Sequence, residues 1–353
     1  MKDVRLIARK QDMTSDWLRS ALLAGGAAST VRVGNIQIEQ YRTKPYSTLY
    51  KVRADIDGDE HLPERFLVKV ARPDVTNTTS RRRRRKEHAF YTTLAPQMQP
   101  SVAPAIFAAL CSEDASHAFL LMEDLSGSHD RPPRGLPPAP EQARGAMDVF
   151  AALHAAWWNH PDLEVAVAMR DAAYIAERSE SSRDSAADLL SNYGQYLDLG
   201  MRHAIERSAE NTARLMGIAF TGSISAIHGD AHPWNLLSPR TQEGKPVLLD
   251  WEAWSVDSPA LDIVSYIVLR FDPGLRRRLE PELLARYHAA LVHGGVSDYD
   301  LTQFHDDYRR ALVRRAMMPV GRARRGEEPD GWWNTLSRVA LAWEDHDCDR
   351  VLQ

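Results

Sequence analysis

The sequence predicts an α+β protein in two parts: a β-rich lobe over residues 1–124 and a larger helical lobe over residues 125–353. Three observations carry this reading. Apolar residues alternate with polar ones at Ile36 and Ile38, and again at Tyr50, Val52, Ala54 and Ile56, which is the period of a half-buried strand. Pro132, Pro133, Pro137, Pro138 and Pro140 then make residues 126–140 a loop without regular structure. Beyond it Val149, Phe150, Leu153 and Trp157 recur every three or four positions, the helical period. A chain of 353 residues also exceeds one small core and suits two lobes.

In chain order, Asp57-Gly58 marks a turn after the first strands, and Phe66 to Val70 reads as a short buried strand. Arg81 to Arg85 read as a solvated helix N-terminus rather than an anion or RNA patch, and Lys86 follows them. They lead into a helix over Glu87 to Leu94 that turns Phe90, Tyr91 and Leu94 inward. Ala118 to Met122 is a further buried strand, closing with Glu123-Asp124-Leu125. In the second part, Pro161 stops the first helix, and residues 165–220 continue as polar amphipathic helices. Loop and strand signals interrupt from Ile227 to Asp250, and Ser258-Pro259 restarts the helices with serine as N-cap and proline at the first turn. Trp157, Trp158, Trp332 and Trp333 read as packing residues. Asp345, His346, Asp347 and Cys348 read as a solvated acidic tail.

Composition removes several functions. A formal net charge of −4 argues against a general nucleic-acid binder. Cys111 and Cys348 supply neither a disulfide framework nor a zinc signature, which fits a reducing compartment. Charge interrupts the N-terminus every two or three residues, so neither a signal peptide nor a membrane span is expected, and the protein reads as cytoplasmic. Only Lys2, Lys10, Lys44, Lys51, Lys69, Lys86 and Lys245 are lysines among 44 basic residues. Lys69, between Val68 and Val70, therefore stands out.

The chemistry concentrates in Ile227-His228-Gly229-Asp230-Ala231-His232-Pro233-Trp234-Asn235-Leu236-Leu237 and Val247-Leu248-Leu249-Asp250-Trp251-Glu252. An aspartate precedes an asparagine by five residues, and a second aspartate ends an apolar strand shortly after. Phosphoryl transfer from a nucleotide needs such a set: one carboxylate to orient the attacking hydroxyl and accept its proton, and a carboxamide with another carboxylate to hold magnesium. The protein-kinase signature has the same spacing.

On these residues the chain resembles the aminoglycoside phosphotransferase and choline kinase superfamily. The stretch HGDAHPWNLL…LLDWEAWSVDSPALDIVSYI is most similar to its ecdysteroid-kinase-like (CHK-type) phosphotransferases. The resemblance runs in order from about residue 30 to about residue 270, and Tyr287 to Leu291 still look like the family's tail helices. It implies a two-lobed protein-kinase-like fold with the active site between the lobes, and transfer of the γ-phosphate of ATP, assisted by Mg2+, to a hydroxyl of a small molecule. By the same resemblance Asp230 is the catalytic base, and Asn235 and Asp250 are the magnesium ligands. Lys69 contacts the α- and β-phosphates, Glu87 holds that lysine, and Asp262 braces the catalytic loop. Met122, Glu123 and Leu125 form the hinge where adenine docks.

One departure stands out: the segment Arg42 to Tyr50 contains no glycine where such enzymes carry a glycine-rich loop. Ser47 and Thr48 are expected to supply donors to phosphate oxygens instead. A metal-dependent hydrolase built on His228, His232, Asp230 and Asp250 is the rival reading, but it leaves Lys69 and Glu87 without a role. A non-catalytic nucleotide-binding module of the same fold is the other, and it is expected to have lost the base or a metal ligand. A protein acceptor is disfavoured, because no Ala-Pro-Glu element follows Asp250.

Overall fold

A computed structural model describes residues 4–133, 135–163, 171–241 and 244–353. The first of its two units takes the chain up to Asp130 and again from Leu237 to Trp254; the second takes the remainder. The division expected at residues 124/125 does not include the second of these segments.

In the first unit, five strands form one antiparallel sheet: β1 (Arg32–Thr43), β2 (Ser47–Asp57), β3 (Arg65–Ala71), β4 (Ile106–Cys111) and β5 (Ala118–Glu123), in the order β1-β2-β3-β5-β4. The period-two pattern explains its two faces. Val52, Ala54, Phe66, Val68, Val70, Phe119 and Leu121 pack against Trp17, Leu18, Ala21 and Leu22 of helix α1 (Ser15–Ala24). Because Val68 and Val70 take that side, Lys69 takes the other. Helix α2 (Thr78–Ala89) is capped by Asn77, whose Oδ1 accepts from the Ser80 amide at 2.9 Å. It runs on as a π-helical turn, Phe90–Leu94, that buries Phe90, Tyr91 and Leu94 together.

The arginine run at the start of α2 is not solvated throughout, contrary to expectation. Arg84 is buried and donates to the carbonyls of Ala115, Ser116, Arg72 and Val75 at 2.6–3.0 Å. Residues 237–254 join this unit through β8 (Leu236–Pro239), which pairs with β6 (His129–Asp130), and through β9 (Val247–Leu248). The Leu248 amide bonds the Val102 carbonyl at 2.8 Å, and the Trp251 ring stacks on Phe90 at 3.6 Å.

The second unit is helical: α3 (Pro140–Ala156), α4 (Ala172–Tyr193), α5 (Leu199–Thr221), α6 (Ala260–Ile267), α7 (Pro273–His293), α8 (Leu301–Arg315), α9 (Met317–Arg324) and α10 (Pro329–Asp345). One short antiparallel pair, β7 (Ser225–Ile227) with β10 (Ser255–Asp257), completes it. Trp332, Leu336 and Ala340 of α10 pack on Leu189, Met201, Ile205 and Val320. Helix α3 ends at Ala156, five residues before Pro161, which opens a 3-10 turn instead. Of the helical stretch expected from residue 165, residues 165–170 lie outside the described residues. Ser258 does not cap α6 with its hydroxyl. Its Oγ is buried without a partner, and its amide is taken by Asp257 Oδ1 at 2.8 Å. Among the described residues no helix is long and apolar enough to cross a membrane.

The C-terminus is packed rather than a solvated tail. Asp345 accepts from Arg276 and from Arg277 Nε, the latter at 2.8 Å, and Cys348 is fully buried. Beside them Glu280, also buried, accepts from Arg276 Nη1 at 2.5 Å and the Tyr308 hydroxyl at 2.6 Å, with His346 Nε2 at 3.0 Å. Burial acts to raise the Glu280 pKa, but His346, Arg276 and Tyr308 outweigh it and hold it below its ordinary 4.5. A depressed acid contributes stability that is complete above its unfolded pKa and is lost as pH falls through the folded one. Glu280→Gln is therefore expected to flatten the acid limb of a stability–pH curve below about pH 4.5, measured by urea unfolding. At neutral pH it should cost about 3 kcal/mol by leaving a buried guanidinium short of a partner.

Candidate active site

Lys69 and Glu87 meet because β3 turns Lys69 to the face opposite Val68 and Val70, where the otherwise polar α2 buries Glu87. Lys69 Nζ donates to Glu87 Oε1 at 2.7 Å and to Asp250 Oδ1 at 3.1 Å, with Glu252 Oε2 at 3.9 Å. Burial alone would lower the Lys69 pKa. Glu87, then Asp250 and Glu252, outweigh it, so the ammonium is held charged above its ordinary value. Asp250 is treated in the mirror sense: burial acts to raise it, and Lys69 and Lys44 hold it well below the usual carboxylate range. Burial also pushes Glu87 up, against the pull of Lys69.

Asp250 stands in the left-handed region at φ 64°, a conformation that costs a non-glycine residue about 1–3 kcal/mol. Its carboxylate is gripped from both sides, Oδ1 by Lys69 and Oδ2 by Lys44. Glu252 accepts from Arg83, whose guanidinium lies 5.0 Å from the Tyr46 ring centre. Ser47, Lys69, Glu87 and Glu252 line one narrow cavity of about 30 Å³, roughly enough for a single water. Ser47 is buried there, and Thr48, the next residue on β2, is half-buried. Met122 and Leu125 are buried at the end of β5 and just beyond it, with Glu123 half-buried between them.

The second unit holds the other motif. After β7 the chain turns at Gly229, whose φ of 79° suits a residue without a Cβ. Asp262 of α6, fully buried, accepts the amides of His228 at 2.6 Å and Gly229 at 3.0 Å, with His154 Nε2 at 3.4 Å. Burial acts to raise its pKa, and His154, then His228 and Arg315, hold it low, so the brace is ionised. Two residues on, the Asp230 carboxylate is 53% exposed, and His232 Nε2 lies 3.6 Å from Oδ2. Loss of water acts to raise the Asp230 pKa; His232, then His228 and Arg270, hold it well below the usual range.

Asn235 ends the 3-10 turn that Pro233 starts, and its Nδ2 donates to the Asp230 carbonyl at 3.2 Å, which leaves Oδ1 as its oxygen donor. The hydrolase reading lacks a ligand set. His228 Nδ1 accepts the Asp230 amide at 3.3 Å, and among the described residues no three His, Cys, Asp or Glu side chains form a metal-ligating group.

Lys44 is the site residue that sequence reasoning passed over. It sits at the glycine-free β1–β2 turn, where its amide bonds the Ser47 carbonyl at 2.8 Å. The scarcity of lysine in the chain was the available signal.

Solved structures share this architecture at low identity. A choline/ethanolamine kinase family protein from Mesorhizobium loti is 14% identical with a TM-score of 0.51, over 96% of this chain and 98% of that one. Plasmodium vivax ethanolamine kinase is 14% identical with a TM-score of 0.52, over 87% and 81%. The GDP complex of aminoglycoside 2'-phosphotransferase-IIIa is 13% identical with a TM-score of 0.54, over 94% and 99%. The fold is thus the one these kinases use, an antiparallel-sheet lobe followed by a mainly helical one. No curated protein sequence gives a significant match. The family model described as "Phosphotransferase enzyme family" matches residues 51–305, and the chain belongs to that family.

Proposed function

We propose that the protein is a kinase that moves the γ-phosphate of ATP, with Mg2+, to a hydroxyl of a small molecule. The observation that carries this reading is the Lys69 ammonium shared between Glu87 and Asp250. A buried lysine oriented by a helix glutamate and set beside a carboxylate is the nucleotide-phosphate half of a kinase site. Among the neighbours, an ethanolamine kinase and a GDP-bound aminoglycoside phosphotransferase support the class of acceptor and the use of a nucleotide.

The donor set suits magnesium, because the Asp250 carboxylate and the Asn235 carboxamide oxygen are hard oxygen ligands. When bound, the ion neutralises charge that builds on the phosphates. Lys69 binds the α- and β-phosphates, Glu87 keeps it in place, Ser47 and Thr48 offer hydroxyls, and Met122, Glu123 and Leu125 receive the adenine. Asp230 accepts a hydrogen bond from the acceptor hydroxyl, aiming its oxygen at the γ-phosphorus. As the new P–O bond forms and the bond to the β–γ bridging oxygen breaks, the hydroxyl proton passes to Asp230.

Magnesium-ATP is expected to raise the melting temperature, by the equivalent of about 2.7 kcal/mol at a hundredfold excess over Kd. Lys69→Ala should abolish most of that shift. A flat response of the wild type at millimolar magnesium-ATP rejects the proposal.

Lys44 enters the same reading as the substitute for a glycine-rich loop, meeting phosphate with charge rather than with bare backbone. Lys44→Met is expected to raise the KM for ATP about 10–100-fold, the value of one charge-assisted hydrogen bond, with kcat changed only a few-fold. Steady-state kinetics against ATP check this, and an unaltered KM rejects it.

A further inference from the structure

We propose that the acceptor side of the Asp230 loop binds an oxyanion, so that the phosphoryl acceptor is a hydroxylated small molecule that itself carries a carboxylate or a phosphate. The inference rests on the kinase reading and adds the substrate class to it.

Three elements of the second unit bring arginines toward one place. Arg270 follows α6, Arg322 lies on α9, and Arg338 lies on α10; all three are half-buried. Arg338 Nη1 donates to the carbonyl of Leu269, the residue before Arg270, at 3.3 Å. The Arg270 guanidinium lies 5.6 Å from the Trp234 ring centre, the Trp234 ring 5.4 Å from that of His232, and His232 Nε2 3.6 Å from Asp230 Oδ2. This path runs from the Arg270 guanidinium, through Trp234 and His232, to the residue that would receive the acceptor hydroxyl.

Their own partners are few. Arg322 is matched by Glu327 at 2.6 Å, and that glutamate also serves Arg325 at 3.0 Å. Among the described residues Arg270 and Arg338 enter no ion pair, and Arg270 Nε is buried without a hydrogen-bond partner. Burial depresses the Arg270 pKa, Asp230 opposes it, and the neighbouring charges of Arg322 and Arg338 add to the depression. Two neighbouring guanidiniums without an ion-pair partner, those of Arg270 and Arg338, suit a bidentate oxyanion. The same charges repel an ammonium-bearing acceptor of the aminoglycoside or choline type.

The test is calorimetric titration of D-glycerate, glycerol 3-phosphate, glycerol and choline into the whole protein, with and without magnesium and a non-hydrolysable ATP analogue. One or both anions should bind at millimolar concentration, glycerol and choline should not, and the tighter anion identifies the group recognised. Arg270→Gln and, independently, Arg338→Gln should weaken anion binding about 10–100-fold while the affinity for the ATP analogue stays within about twofold. No anion binding by the wild type, stronger binding of choline, or anion binding unchanged in both variants overturns the inference. Failure of the ATP analogue to bind the wild type instead overturns the kinase reading, whatever the anions do.

Discussion

Asp230→Asn is expected to lower turnover by about 10²–10⁴-fold, or roughly 3–5 kcal/mol of barrier, while magnesium-ATP affinity stays nearly unchanged. Asparagine keeps the shape of the side chain but cannot accept the acceptor's proton. Asp230 contributes to the loop through its backbone, whose carbonyl takes Asn235 Nδ2 and whose amide donates to His228, so the substitution leaves those bonds in place. Asp250→Asn should behave differently. It removes the charge that two lysines share, so magnesium-nucleotide binding should fall together with rate. Nucleotide affinity by calorimetry and single-turnover rates for both variants separate the two effects. An Asp230→Asn protein near full activity would remove the base from the mechanism.

Asp262→Ala is the second large effect, on stability and activity together. The carboxylate accepts two backbone amides and faces His154, all inside the fold. Each charge-assisted hydrogen bond contributes about 1.5–3 kcal/mol, so losing both amide bonds should cost about 3–6 kcal/mol. The loss also frees the loop that presents Asp230 and Asn235. Urea unfolding should show the lower midpoint, and activity should stay low even where the variant remains folded. A variant with wild-type stability would mean that the His228 and Gly229 amides find other partners.

Much of this was legible in the sequence. Ile36 to Ile56 announce their strands because a sheet with one buried face forces a period of two, whereas Phe66 to Val70 and Ala118 to Met122 do so as short apolar runs buried on both faces. Asp230, Asn235 and Asp250 stood out by residue type and spacing, and the structure sets Asp230 and Asn235 in one hydrogen-bonded loop and Asp250 between two lysines. What escaped depends on contacts distant in sequence. Helix α1 carries its apolar stripe at Trp17, Leu18, Ala21 and Leu22 but gains its meaning only against the sheet. Strand β4, Ile-Phe-Ala-Ala-Leu-Cys, has no alternation because all six positions are half-buried. Arg84 looked solvated because four carbonyls from two other stretches of chain create its burial. Lys44 and Asp250, 206 residues apart, show no local sign of their pairing. The C-terminal acids looked like a tail for the same reason, since Arg276 and Arg277 lie nearly 70 residues away.

Protein kinases are switched on and off by moving the helix that carries the glutamate partner of the phosphate-binding lysine. Here that helix is fastened to the segment after Asp250. Lys86 Nζ donates to the Trp254 carbonyl at 2.6 Å, Trp254 Nε1 returns a bond of 2.6 Å to the Lys86 carbonyl, and Trp251 lies flat against Phe90 at the helix end. Swinging the helix would break a reciprocal pair of hydrogen bonds and expose two stacked aromatic rings at once. Parting Lys69 from Glu87 by moving this helix therefore carries the added cost of that lock, and the pair is expected to persist with or without a bound nucleotide.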